Sequence, residues 1–224
     1  MVLPLPRRRR GLVVGFLFIA LGLAVLASFL LSERAEAASE PVRDFSPPPP
    51  ALLPFDDPSL APKIDEALVW LVTKKCENVE NCPAHPILSD PDFRRQIREA
   101  AISAGERYSQ PPGLLLAMAY RETVFRLDTV GKKGELGLMQ VGKRGREICA
   151  SACGTMKTAD EQMACGACWL DAGVRWCGGD LLRGLKAYAG GRCEAKTQAT
   201  LRAVNWRYRV WRKIHSLVYG GNIS

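Results

Sequence analysis

From Lys63 onward the apolar positions recur at three- and four-residue intervals, the repeat of a helix that buries one face. In KIDEALVWLVTKKC, Ile64, Leu68 and Leu71 share a face. The next run, DPDFRRQIREAAISAGERYS, offers Asp90 as a cap and Pro91 at the first helical position, with Phe93, Ile97 and Ile102 turned inward. PPGLLLAMAYRE follows as an apolar helical run started by its prolines. The pattern breaks at the glycine-bearing stretch GKKGELGLMQ, residues 131–140. Beyond it the spacing predicts a short helix around Arg144 to Ala150, leading into a cysteine-rich loop. Further helices are expected over EQMACGACWLDAGVRW and DLLRGLKAYA, and a long terminal one from about Thr197 to Val218. Alternation at period two is scarce, so the fold class is mainly α, and no internal repeat is present.

Upstream of Lys63 the pattern is different in kind. Gly11 to Leu31 is uncharged and apolar, long enough to meet the ~20 residues a bilayer span needs and longer than the ~7–15 of a signal-peptide core. Arg7 to Arg10 precede it, which places the N-terminus in the cytoplasm and exports the rest. A cleavable signal is the competing reading, since Ala35-Glu36-Ala37 has the form of a small-x-small cleavage site. Residues 32–62 are polar and proline-rich, and Pro47 to Pro50 favour an extended spacer over a packed core. The organisation expected is a basic cytoplasmic end (1–10), a transmembrane anchor (11–31), a linker (32–62) and one folded domain (63–224).

Composition changes this picture in two respects. Of 224 residues, 47% are hydrophobic and 24% charged, which excludes wholesale disorder. A net charge of +8 suits an anionic partner: membrane surface, nucleic acid or an acidic polymer such as cell wall. Eight cysteines, all beyond Lys75, in an exported domain read as disulfides. The spacings Cys149-x3-Cys153 and Cys165-x2-Cys168 also match paired zinc ligands, although Cys76, Cys82, Cys177 and Cys193 would then need a separate account. The terminal RAVNWRYRVWRK interleaves aromatic and basic residues. Val204, Tyr208 and Trp211 fall on one face, so the helix reads as a core face backed by a solvated basic side rather than a nucleic-acid surface. His85 and His215 are too isolated to form a triad or a metal site.

One residue asks for a chemical explanation. Leu115, Met118 and Glu122 lie at i, i+3 and i+7, so a carboxylate stands on the face that packs inward. It is tolerable there if it is paired, if it sits at the lip of a cleft, or if it stays protonated as an acid catalyst. Glu122-Thr123, then Gly134, then Gly137-Leu138-Met139-Gln140, then Gly166-Ala167-Cys168-Trp169-Leu170, and finally Tyr188-Ala189-Gly190-Gly191 come in order along the chain. This succession resembles the SLT-type lytic transglycosylases, lysozyme-like enzymes that cleave the glycan strands of peptidoglycan.

The resemblance implies a lysozyme-like helical domain with a substrate cleft, and no metal or other cofactor. It implies cleavage of the MurNAc–GlcNAc β-1,4 bond by one glutamate, Glu122, acting first as acid and then as base. The muramyl 6-hydroxyl then attacks its own anomeric carbon and leaves a 1,6-anhydro end. Thr123, Gly137, Leu138, Met139, Gln140 and Tyr188 are the implied substrate-binding residues. Leu115 and Met118 supply the apolar setting in which a carboxyl keeps its proton. A hydrolase using water needs a second carboxylate, and Asp128 and Glu135 are the candidates. A non-catalytic wall-binding scaffold is the rival from another class. The chain departs from the family at Thr123 for serine, Arg126-Leu127 for Asn-Pro, and Ala189 for asparagine. The expected partners are peptidoglycan strands and the bacterial inner membrane, with the domain in the periplasm and an envelope-spanning secretion or division machine admitted beside them. Nucleic acid is not expected.

Overall fold

Pro112–Thr123 is helical and buried on nearly every side: each residue from Gly113 to Tyr120 is inaccessible or almost so. This helix, α4, is the axis on which the rest of the fold is laid. The computed structural model describes residues 55–77, 85–194 and 196–220. The expected anchor, its arginines and most of the proline-rich spacer lie outside the described residues. Among those described, no helix is long and apolar enough to cross a membrane.

The helices, in order, are α1 (Ala61–Cys76), α2 (Pro86–Ser89), α3 (Pro91–Tyr108), α4 (Pro112–Thr123), α5 (Lys143–Ile148), α6 (Ala150–Cys153), α7 (Ala159–Trp176), α8 (Leu181–Gly190) and α9 (Gln198–Tyr219). No strand is present among the described residues; two isolated antiparallel bridges, Val130 with Leu136 and Leu136 with Val141, organise the loop after α4. The mainly α architecture therefore agrees with the apolar spacing.

Local chemistry sets the helix boundaries. Asp90 caps α3 by accepting from Asp92 N at 2.9 Å and Phe93 N at 3.0 Å. Thr158 and Glu161 form a reciprocal capping box at the start of α7, and Glu161 also accepts from the backbone of Thr155 and Lys157. Those backbone donors hold the Glu161 carboxyl down at about 2. Asp180 caps α8 through Arg183 N at 2.8 Å.

Around α4 pack α3, α7 and α9, and α3 lies along α7 in the most extensive helix pair of the domain. The buried face of α3 is Ile97, Ala100, Ala101, Ala104 and Gly105. Phe93 and Ile102, expected inside, are only part-buried. Small side chains let the two axes approach closely, and bulkier ones are turned to the margin. Packing also reaches back past Lys63: the Phe55 ring meets Tyr219 edge-on at 6.1 Å. A lone aromatic among prolines carries no periodicity, so it gave no sign of belonging to the domain.

Disulfides staple the segments that flank α7. Cys149–Cys168 and Cys153–Cys165 tie α5 and α6 to α7, and Cys177–Cys193 joins the end of α7 to the segment after α8. Cys76 is disulfide-bonded as well. The four cysteines with zinc-like spacing are thus paired with one another across the two spacings, and offer no thiolates.

Candidate active site

Glu122 stands in the last turn of α4, and the chain leaves that helix abruptly. Val124 and Phe125 both take positive φ, 53° and 62°. Two consecutive non-glycine residues in the left-handed region are unfavourable and persist only where packing dictates them. Here Phe125 is fully buried, 5.8 Å from the Tyr120 ring, and the Val124 carbonyl accepts from His85 Nε2 at 2.7 Å. Thr123 Oγ1 lies within reach of the Ala119 carbonyl at 3.3 Å and the Leu138 carbonyl at 3.2 Å, joining the helix end to the Gly-Leu-Met-Gln segment.

That segment is held from below by a residue that the sequence left unmarked. Gln162, on α7 and 2% exposed, accepts from Leu138 N at 2.7 Å through Oε1. Its amide nitrogen donates to Leu127 O at 3.1 Å and Met156 O at 2.8 Å. Gly137 has φ +68°, and a Cβ there would lie 2.4 Å from Gln162 Oε1, so the tight turn and the close approach both require glycine. Met139 is buried against Gly166, where a Cβ would fall 2.4 Å from the Met139 Cγ.

Above this platform opens a cleft of about 570 Å³. Glu122, Gln140, Tyr188 and Arg207 line its floor, and Trp169 and Ala189 its side. Lys132, Lys133, Lys143 and Arg144 make one wall cationic, relieved by Glu135. Glu135 Oε2 accepts from Lys133 N at 2.9 Å, and backbone donors in its own turn keep this carboxyl below the usual range. It is an acceptor facing the same space as Glu122. Asp128 does not line the cleft.

Opposite Glu122 stands Arg207 of α9, 3% exposed, whose Nη2 donates to Glu122 Oε1. The two helices are brought into register by the stacking of Tyr120 on Trp206 at 5.3 Å. The Arg207 guanidinium also lies over the Tyr188 ring, 5.7 Å from its centre. The setting of Glu122 is therefore an ion pair at a cleft lip, with its side chain 21% exposed, rather than the dry apolar pocket expected from Leu115 and Met118. Of the three ways to tolerate a carboxylate on that face, two are met together.

Residues 99–205 match the family model described as Transglycosylase SLT domain. The chain carries an SLT domain. No curated protein compared with the chain matches it.

Within the SLT domain the expected site residues divide. Glu122, Gln140 and Tyr188 come together in the cleft. Thr123, Leu138 and Met139, expected to touch substrate, have buried side chains and do not line it. They form the platform: side chains following a buried helix end are drawn into the core, and Leu138 and Met139 are wholly inaccessible. Gly137 is buried beneath Gln162 and acts through its turn. Gln140 spends both amide hydrogens within the loop, on Thr129 O at 3.1 Å and Gly137 O at 2.9 Å, and keeps only its oxygen free. Tyr188 lies in the last turn of α8, and its hydroxyl donates to Met139 O rather than to Glu122. Burial, and then the nearby Glu122 charge, push this phenol far above its ordinary value, so it stays a neutral donor. Arg207 was missed because the terminal helix read as an apolar face with solvated basics. Its position, between Val204 and Ile214 on the buried stripe, was the available signal.

Proposed function

We propose that the protein is a peptidoglycan lytic transglycosylase that cleaves the MurNAc–GlcNAc β-1,4 bond with Glu122 as its acid and base. The observation that carries this is a single helix-end glutamate at the floor of a sugar-sized cleft inside an SLT domain. In the step inferred, Glu122 gives its proton to the glycosidic oxygen, which leaves with the bonding pair. The muramyl C6 oxygen attacks C1, and its proton passes to the Glu122 carboxylate, restoring the acid without water. Gln140 Oε1 is the free acceptor for an N–H or hydroxyl of the sugar. The cationic wall favours a strand whose peptide stems carry carboxylates. Arg7 to Arg10 and the apolar run 11–31 support an inner-membrane anchor with the domain in the periplasm.

Mass spectrometry of purified peptidoglycan, digested by the oxidised full-length protein beside Glu122→Gln, tests this. Anhydro-ended fragments from the wild type and none from the variant are expected. No fragments from a folded, oxidised wild type would refute it and leave a wall-binding scaffold. Glu135 in the same cleft favours a second reading, hydrolysis by water oriented on that carboxylate. Reducing ends that vanish in Glu135→Gln would establish that reading instead.

A further inference from the structure

We infer that Arg207 is a positioning residue for Glu122, fixing one carboxylate oxygen and leaving the other to transfer the proton; this rests on the lytic-transglycosylase reading. Arg207 lies beyond the segment 99–205 that matches the SLT domain, so no motif of that match assigns it a role. Its Nη2 donates to Glu122 Oε1, and no described residue donates to Oε2. The guanidinium is itself held. Tyr188 lies under it with the ring centre 5.7 Å away, and the Tyr188 hydroxyl is fastened to the carbonyl of Met139. A line of directional contacts thus runs from the Gly-Leu-Met-Gln backbone through the tyrosine and the arginine to the carboxylate.

The burial of Arg207 indicates what the line is for. Its Nε and Nη1 are enclosed and meet no acceptor among the described residues, so Glu122 is the partner to which its charge is directed. A guanidinium so placed is costly unless its counter-ion is secure. As Oε2 gives its proton to the glycosidic oxygen, negative charge grows on the carboxylate, and a cation already aimed at Oε1 meets it without reorganisation. When the C6 hydroxyl proton reaches Oε2, the charge is discharged again. Arg207 itself neither gives nor takes a proton.

The test uses the full-length oxidised protein with Arg207→Lys, which keeps the charge but loses the planar fork, and Arg207→Met, which loses both. Two readouts are taken: kcat and KM on glycan strands, and the rate at which a water-soluble carbodiimide with an amine labels Glu122, compared with the exposed Glu106 and Asp160 in the same digest. We expect Glu122 to be labelled slowly in the wild type and faster in both variants. We expect kcat to fall ~10-fold for Lys and ~100-fold for Met, with KM held within about twofold. A folded variant with wild-type kcat, a loss confined to KM, or wild-type Glu122 labelled as fast as Glu106 would each overturn the inference. If Arg207→Met does not fold, Arg207→Lys and the wild-type labelling still decide. Anhydro product with unprotected Glu122 sinks the inference alone, whereas no product from the wild type sinks the function as well.

Discussion

Gln162 offers the sharpest test of how the cleft floor is built. Replacing it with leucine keeps the side chain's bulk and removes three hydrogen bonds at once. Of the groups left behind, Leu138 N is fully enclosed, and an unsatisfied buried donor costs about 1–3 kcal/mol. The carbonyls of Leu127 and Met156 are part-buried, so water can reach them, and each loses only the net worth of a bond, about 0.5–1.5 kcal/mol. Together these give a loss of about 2–6 kcal/mol. In a domain of this size that is a fall in melting temperature of ~2–4 °C per kcal/mol, or roughly 4–24 °C. Urea unfolding followed by circular dichroism, with disulfides intact, measures it directly. Activity should fall even below the new melting point, because Leu138 N anchors the turn that presents Gln140. The Gln162→Glu substitution adds a sign. At neutral pH the introduced carboxylate faces two carbonyls, so its folded-state pKa lies above the unfolded value of about 4.3. The folded variant then binds the extra proton first, and its deficit against the wild type shrinks as pH falls through that raised pKa. A loss under about 1 kcal/mol in Gln162→Leu with unchanged activity would refute the clamp.

Three further outcomes come from the same packing. Gly166→Ala puts a Cβ 2.4 Å from Met139 Cγ and 2.5 Å from its Cβ, so it should cost about 1–3 kcal/mol by denaturant midpoint and lower activity by shifting Met139. Reduction should lower stability by about 2–4 kcal/mol for each bridge opened, and the Cys149→Ala/Cys168→Ala pair should show its share in a melt without reductant. His85 accepts from Ile87 N through Nδ1 and donates from Nε2 to Val124 O, so the fold requires the neutral ring, and burial pulls its pKa below the ordinary 6.5. The unfolded chain therefore protonates first, and stability should fall as pH drops from 6.5 through the folded value. His215 is lowered by burial and adds the same sign, so His85→Asn, which preserves the helix cap, should flatten only part of that slope in a pH series of urea midpoints.

The longer helices were legible because each is written in a local code, whereas the one-turn α2 and α6, the latter where a cysteine-rich loop was expected, are too short to show a repeat. Asp90, Pro91 and Asp180 mark starts, glycine marks the stop after α8, and the apolar stripe of α9 shows its inner face. Glu122 was legible for a related reason, since a charge on an apolar stripe breaks the pattern that surrounds it. Local code was misleading where the decisive contact is long-range. Met139 and Leu138 look like a sugar platform in a loop motif, yet they are core because α7 presents Gly166 and Gln162 beneath them. Gln162 is a polar interruption of the buried α7 stripe that Met163, Gly166 and Leu170 continue, but its partners Leu127, Leu138 and Met156 lie on loop segments that no helical spacing identifies. The hydroxyl of Tyr188 meets Met139 from another helix, which no spacing encodes.

Arg207 joins these two lessons. It interrupts the apolar stripe of α9 as Glu122 interrupts that of α4, and the two interruptions meet. Each alone is an unfavourable buried or half-buried charge; paired across two helices they cost less, and they occur in the cleft where Gln140 and Tyr188 of the SLT domain also converge. Helix α9 is thereby more than a cover for α4. Stacking of Trp206 on Tyr120 sets the register of the two helices, and that register is what brings Arg207 to the carboxylate. Residue 205 ends the family match, but the cleft is completed only beyond it. A terminal helix that looks like basic surface from its composition is, from its stripe, a structural part of the acid's setting.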